Sequence, residues 1–247
     1  MLAIVCPGQG SQTPGFLAPW LELDGTRDLL ASLSDAAGVD LIRHGTESDE
    51  ETIKDTAVAQ PLIVAAGLVA AAALEADAAA PKSTVVAGHS VGEVTAAAVT
   101  GVLSPAEALS LVRVRATGMA RAAAATPTGM AAVVGGDQDE VLAAIDAAGL
   151  TPCLLSTSDA ADERPTGAVG ALAESAPARA RVIPLKVAGA FHTEHMRPAV
   201  DDLAAHVADL SPSDPRLPLL SNRDGEAVES GTDVLARRGE AGGRDGA

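Results

Sequence analysis

Two patterns of apolar and polar positions alternate along the chain: short continuous apolar runs closed by turn residues, and longer stretches with helical spacing. Leu2 to Cys6 is an apolar run closed by Pro7-Gly8, and Thr84 to Ala87 is another, ending at Gly88. Short apolar runs bounded in this way predict strands. Between them Leu62 to Ala76, rich in Ala and Leu, predicts a helix. Val91 to Ala98 predicts a second helix. A third, long helix opens at Ser104-Pro105, with Ser at the N-cap and proline at the first helical position. Further on, Met130 to Val134 predicts a strand, Asp139 to Ala148 a helix and Val182 to Val187 a strand. A last helix over about Ala199 to Leu210 precedes a short strand at Leu217 to Ser221. Alternating strands and helices predict an α/β fold with a mainly parallel sheet.

Composition limits what such a fold can do. With 247 residues and 47% hydrophobic content, there is enough apolar material for one large domain or two unequal ones. One Trp, two Phe and no Tyr leave Ala, Val and Leu to build the core. Aromatic platforms for stacking nucleic-acid bases are absent. A formal net charge of −16 repels phosphate backbones and anionic membranes, so no nucleic acid and no membrane is expected as a partner. The first residues lack a basic region ahead of their apolar run, and Leu62 to Leu74 is too short to span a bilayer. Cys6 and Cys153 do not make a disulfide framework in a chain of this length. A cytoplasmic location follows.

The strongest chemical signal is Gly88-His89-Ser90-Val91-Gly92, a G-x-S-x-G pattern between an apolar run and a helical segment. A serine at a strand-to-helix turn needs small neighbours, and its hydroxyl projects above the sheet edge. The helix behind it offers main-chain N–H groups and positive potential to an oxyanion. The plainer alternative is a glycine-rich turn with an N-capping serine. Pro7-Gly8-Gln9-Gly10-Ser11-Gln12 follows the first strand and suits a loop whose backbone approaches a ligand. It lacks the Lys-Ser/Thr of a phosphate loop and the spacing of a dinucleotide fingerprint.

Gly-Gln-Gly-Ser-Gln at 8–12 and Gly-His-Ser-Val-Gly-Glu at 88–93 resemble the malonyl-CoA:acyl-carrier-protein transacylase family and the related acyltransferase domains of polyketide synthases. Thr56-Ala57-Val58-Ala59-Gln60-Pro61, the helix carrying Arg115, Gly129-Met130, and Gly189-Ala190-Phe191-His192 follow in the family's order. The resemblance implies an α/β-hydrolase-like large domain, residues 1–124 and 192–235. It also implies an inserted small ferredoxin-like domain over 125–191. Residues 236–247 hold no Val, Ile, Leu, Met, Phe or Cys and read as a disordered tail.

Arg115 can be read apart from the resemblance. Leu111, Arg115 and Met119 share one helical stripe, and a guanidinium on an otherwise apolar stripe needs a carboxylate partner. That partner is either an internal Asp or Glu or the carboxylate of a substrate, which arginine can grip through two parallel hydrogen bonds. The resemblance implies the substrate, and adds Gln60 and Met119 as binding residues. Among the five histidines it singles out His192 as the base for Ser90. It makes Phe191 the residue that fills the space an α-methyl group would need, and His89 a structural residue of the turn.

The implied chemistry is transfer of malonyl from malonyl-CoA to the phosphopantetheine thiol of an acyl carrier protein, through a malonyl ester of Ser90. The main-chain N–H groups of Gln9 and Val91 would meet the oxyanion, and neither a metal nor a cofactor is implied. Two alternatives stay open: a serine hydrolase or thioesterase with the same residues, and a non-catalytic chain that binds coenzyme A or carrier. Two departures from the family stand out. Cys153 to Glu163 replaces an Asn- and Gln-containing turn and a short apolar strand. It reads as a polar surface loop, or as translated sequencing-adaptor sequence, which resequencing of the locus would refute by returning the same codons. Family members also continue past residue 247 with a glutamine whose carbonyl orients the histidine, then a strand and a helix. That difference predicts low solubility and weak or absent turnover, even where Ser90 can still be acylated.

Overall fold

The computed structural model describes residues 2–76, 84–126, 128–154, 159–162, 168–185, 187 and 189–239. It divides into two compact units, 1–117 with 202–239, and 118–201. The elements of the first unit up to the crossing are β1 (Leu2–Cys6), α1 (Thr26–Ala37), α2 (Leu41–Thr46), α3 (Glu50–Lys54), α4 (Thr56–Ala76), β2 (Thr84–Gly88) and α5 (Gly92–Val99). α6 (Pro105–Ala125) then carries the chain into the second unit. There follow β3 (Gly129–Gly135), α7 (Gln138–Ala147), β4 (Thr151–Leu154), β5 (Asp159–Asp162), α8 (Ala168–Glu174) and β6 (Ala180–Pro184). α9 (Arg197–Ala208) returns to the first unit, which closes with β7 (Leu219–Leu220), β8 (Ala227–Val228) and α10 (Gly231–Gly239).

In the first unit the sheet order is β1-β2-β7-β8, with β1 and β7 parallel to β2 and β8 antiparallel to β7. The registers Cys6↔Gly88 and Ala87↔Leu220 end the three parallel strands at one edge. The loops after β1, β2 and β7 therefore leave from the same side, where ligand sites form in parallel sheets. The core is aliphatic, as the composition requires: Leu17, Leu30, Leu41, Leu62, Val64, Val86, Leu109 and Val112 are fully buried. Cys6 is buried and free, and desolvation pushes its thiol up to about 11, so it is inert at neutral pH.

Helix α4 is longer than the apolar run predicts, because the stretch from Thr56 joins it and Pro61 is taken inside. Over Thr56–Leu74 it is long and apolar enough to cross a bilayer, which corrects the expectation based on Leu62 to Leu74. Half of that window is buried, and Leu62, Ile63, Val64 and Ala65 sit in the core. A helix that is apolar on all sides belongs inside a protein as readily as in a membrane. Helix α6 begins with a reciprocal cap: Ser104 N–H donates to Glu107 Oε2 (2.7 Å) and Glu107 N–H to Ser104 Oγ (3.2 Å). The hydrogen bonds from Ser104 hold the Glu107 carboxyl below its ordinary value, so the cap weakens as pH falls through that lowered value.

The second unit is a β-α-β-β-α-β run whose antiparallel sheet has the order β4-β5-β3-β6. Val133, Val141, Ile145, Leu150 and Leu172 form its core between sheet and helices. Part of the stretch expected as a polar loop is strand: Cys153 and Leu154 end β4, and Asp159–Asp162 pairs along Gly129–Ala132 as β5. Leu155 to Ser158 and Glu163 lie outside the described residues. The units part at 117/118 and 201/202 rather than at 124/125 and 191/192. Small residues explain the difference, since Gly118 packs on Ala199 and Gly189 on Ala123, tying these helix ends to the second unit. At the far end Ala236 to Gly239 continue helix α10, which corrects the expected tail there, while 240–247 lie outside the described residues.

Candidate active site

Ser90 follows β2 and precedes α5 with φ of 53°, a left-handed conformation that a non-glycine residue adopts only where its surroundings impose it. Close packing imposes it here. A Cβ at Gly92 would overlap the Cys6 carbonyl, and one at Gly88 would overlap the Gly92–Glu93 backbone. A Cβ at Gly8 would run into the His89 ring, and the His89 N–H donates to the Cys6 carbonyl (3.0 Å). The glycines on both sides of the serine are thus dictated by contact between the turn and the end of β1. Gly92→Ala is expected to destabilise the chain by about 3 kcal/mol, because its obstacle is backbone, which cannot swing aside. A urea midpoint within error of the parent would refute this.

A chain of hydrogen bonds connects the other sequence-derived residues of this unit to Ser90. Arg115 donates from one terminal nitrogen to Gln60 Oε1 (2.6 Å) and from the other to Ser90 Oγ (3.2 Å). Gln60 Nε2 donates to Gln9 Oε1 (3.2 Å), and Gln9 Nε2 to Thr56 Oγ1 (3.2 Å). Gln60 and Thr56 are each 1% exposed, so this relay runs through the interior and fixes which way both amides face. Gln12 anchors the same loop, accepting from Gly10 N–H (2.9 Å) and donating to the Ile53 carbonyl (3.0 Å).

The main chain of the turn contributes as well. From His89 to Val94 the N–H groups donate in turn to Cys6, Asn222 Oδ1, His89, Ser90 and Val91, with Val91 the exception. Among the described residues the N–H of Val91 has no acceptor. Sequence reasoning missed Asn222 and the roles of Thr56 and of Glu93, whose Oε1 accepts from the Asn222 N–H (2.8 Å). The available signal for Asn222 was its place, just past a strand of a parallel sheet.

His192, Phe191 and Met119 belong to the second unit. His192 has φ of 62°, and with Ser90 and Arg179 it makes up the left-handed non-glycine residues among those described. Its turn is held by Thr193 Oγ1 donating to the Ala190 carbonyl (2.6 Å) and Ala190 N–H donating to Thr128 Oγ1 (2.7 Å). Ala190, Phe191 and Thr193 are buried and His192 is half-buried. Met119 and Phe191 share one buried cluster with Met130 and Met196, so these two sequence-derived residues come together.

The acyl transferase domain family matches residues 3–237. The malonyl CoA-acyl carrier protein transacylase of Mycobacterium tuberculosis is 50% identical over 233 residues, 93% of this chain and 77% of that protein. The chain belongs to this transacylase family. The protein of the same name from Mycolicibacterium smegmatis is 47% identical, over 90% of this chain and 77% of its own length. Among solved structures of the family, that of the Mycobacterium tuberculosis MCAT has a TM-score of 0.91 at 47% identity, covering 98% of this chain and 80% of that one. A malonyl-transacylase in complex with its type II polyketide synthase acyl-carrier protein has a TM-score of 0.88 at 26% identity, covering 97% and 80%. The expected α/β architecture with a parallel sheet is that of these family members.

Proposed function

We propose that the chain transfers a malonyl group from malonyl-CoA to the phosphopantetheine thiol of an acyl carrier protein, through a malonyl ester of Ser90. The observation that carries this reading is a serine hydroxyl on a strained strand-to-helix turn with a guanidinium 3.2 Å away. In the first half-reaction His192 takes the Ser90 proton as Oγ bonds to the thioester carbon. The oxyanion is stabilised by the N–H groups of Val91 and Gln9, and its collapse breaks the C–S bond. The imidazolium returns the proton to the departing coenzyme A thiolate. In the second half-reaction the carrier thiol replaces coenzyme A and the same steps run in reverse. Addition and elimination of this kind need no cofactor.

In this reading Arg115, oriented by Gln60, grips the malonyl carboxylate with its planar fork. Phe191 and Met119 wall the acyl site and exclude an α-methyl group. The β-α-β-β-α-β topology supports a ferredoxin-like small domain, and the parallel sheet with its serine turn supports an α/β-hydrolase-like large one. The insertion of the one into the other follows the course of α6 and α9. A cytoplasmic location accompanies a coenzyme A thioester as substrate.

The test is incubation with malonyl-CoA followed by mass spectrometry of the peptide containing Ser90. An adduct of malonyl mass that persists until holo carrier protein is added is the expected result. Rapid loss of the adduct to water would instead indicate a thioesterase, and no adduct would refute acyl transfer.

A further inference from the structure

We propose that Asn222 is a positioning residue of the nucleophile turn: by taking the Ser90 N–H, it holds the serine left-handed and leaves the Val91 N–H as the one directed to the oxyanion. The inference rests on the acyl-transfer reading of Ser90. Ser90 and Val91 both precede helix α5, so neither N–H is used by the helix ladder. The Ser90 N–H donates to Asn222 Oδ1 at 2.8 Å, a span of 132 positions along the chain. The main chain of Asn222 is fixed in return, its N–H donating to Oε1 of Glu93, in the first turn of α5, at 2.8 Å. The turn and the loop after β7 are therefore joined at two points, and each bond sets the direction of the other.

The sheet explains why position 222 can do this. β7 runs parallel to β2, with Ala87 opposite Leu220, so the chain emerges beside Ser90 two residues after the pairing ends. Ser221 is set by its own N–H donating to the Glu226 carbonyl (2.9 Å), which closes the loop into a hairpin with β8. A carboxamide is suited to the task because it is a neutral acceptor. Aspartate would accept the same bond but place negative charge where the oxyanion forms, and leucine would fill the space without accepting.

The experiment measures the rate of malonyl transfer to Ser90 per reacting site, by rapid quench and mass spectrometry, so that misfolded molecules do not enter the rate. In Asn222→Leu that rate is expected to fall about 10–100-fold while the KM for malonyl-CoA stays within about twofold, because the serine is misplaced and the acyl site is not. Asn222→Asp is expected to recover part of the loss. If Asn222→Leu does not fold, Asn222→Ser, too short to reach, is expected to show the same fall. A parent chain that acylates, with Asn222→Leu or Asn222→Ser acylating within about threefold of it, would overturn the inference alone. A parent chain that forms no Ser90 adduct would overturn the acyl-transfer reading and the inference with it.

Discussion

Ser90→Ala is expected to abolish malonyl transfer, with a fall of at least about 10⁴-fold in turnover and no adduct on the Ser90 peptide. Covalent catalysis divides a thiol exchange into two half-reactions, and without the oxygen neither occurs. Binding of malonyl-CoA should survive, since Arg115, Gln60 and Gln9 hold one another by hydrogen bonds that do not pass through the serine. The fold should survive too, because alanine bears the φ of 53° at the same cost as serine. Ser90→Gly, for which that φ is free of strain, is expected to be about 1 kcal/mol more stable than the parent and equally inactive. Residual transfer by Ser90→Ala within about tenfold of the parent would place the nucleophile elsewhere.

Arg115→Ala is expected to lower kcat/KM for malonyl-CoA by about 10²–10³-fold while changing transfer from acetyl-CoA, which has no carboxylate, far less. A bidentate pair between guanidinium and carboxylate is strong and geometrically selective, and the neutral Gln60 at 2.6 Å holds the fork without supplying a rival charge. Arg115→Lys keeps the charge but cannot reach Gln60 and Ser90 together, so it is expected to recover only a minor part of the loss. Equal falls for malonyl and acetyl donors would mean that Arg115 supports the turn rather than reading the substrate.

Both predictions concern residues legible in the sequence, and the reasons for that legibility differ. Ser90 was visible because the turn forbids any Cβ at Gly88 and Gly92, so steric necessity is written as glycine. Arg115 was visible because a charge on the stripe of Leu111 and Met119 contradicts its surroundings, and both neighbours are indeed buried. The strands β1, β2 and β3 and the helices α5 and α7 lay within two residues of their expected limits, and α6 starts where expected, since continuous apolar runs and proline or glycine boundaries mark them. Helices α1, α2 and α3 had no such signal. α2 and α3 are five or six residues long, and their starts depend on the caps that Asp40 and Asp49 give to Arg43 and Thr52. A short helix is settled by its caps and packing, not by its own propensity.

The amino-acid sequence alone determined that this is an α/β chain with an aliphatic core, a serine between two obligatory glycines, and an arginine, a histidine and a glutamine-bearing loop suited to acyl transfer. The signals of the core, the serine and the arginine are local, the product of sterics or burial within a few residues, whereas the histidine and the glutamine-bearing loop stand out through the family resemblance. Only the tertiary structure decided that Thr56, Gln9, Gln60 and Arg115 form one relay, that Asn222 holds the serine's N–H across 132 positions, and that the units part within α6 and α9. Those facts depend on strand order and register, which bring distant segments to one sheet edge, and a hydrogen bond between distant residues leaves no periodicity in the chain for a reader to find.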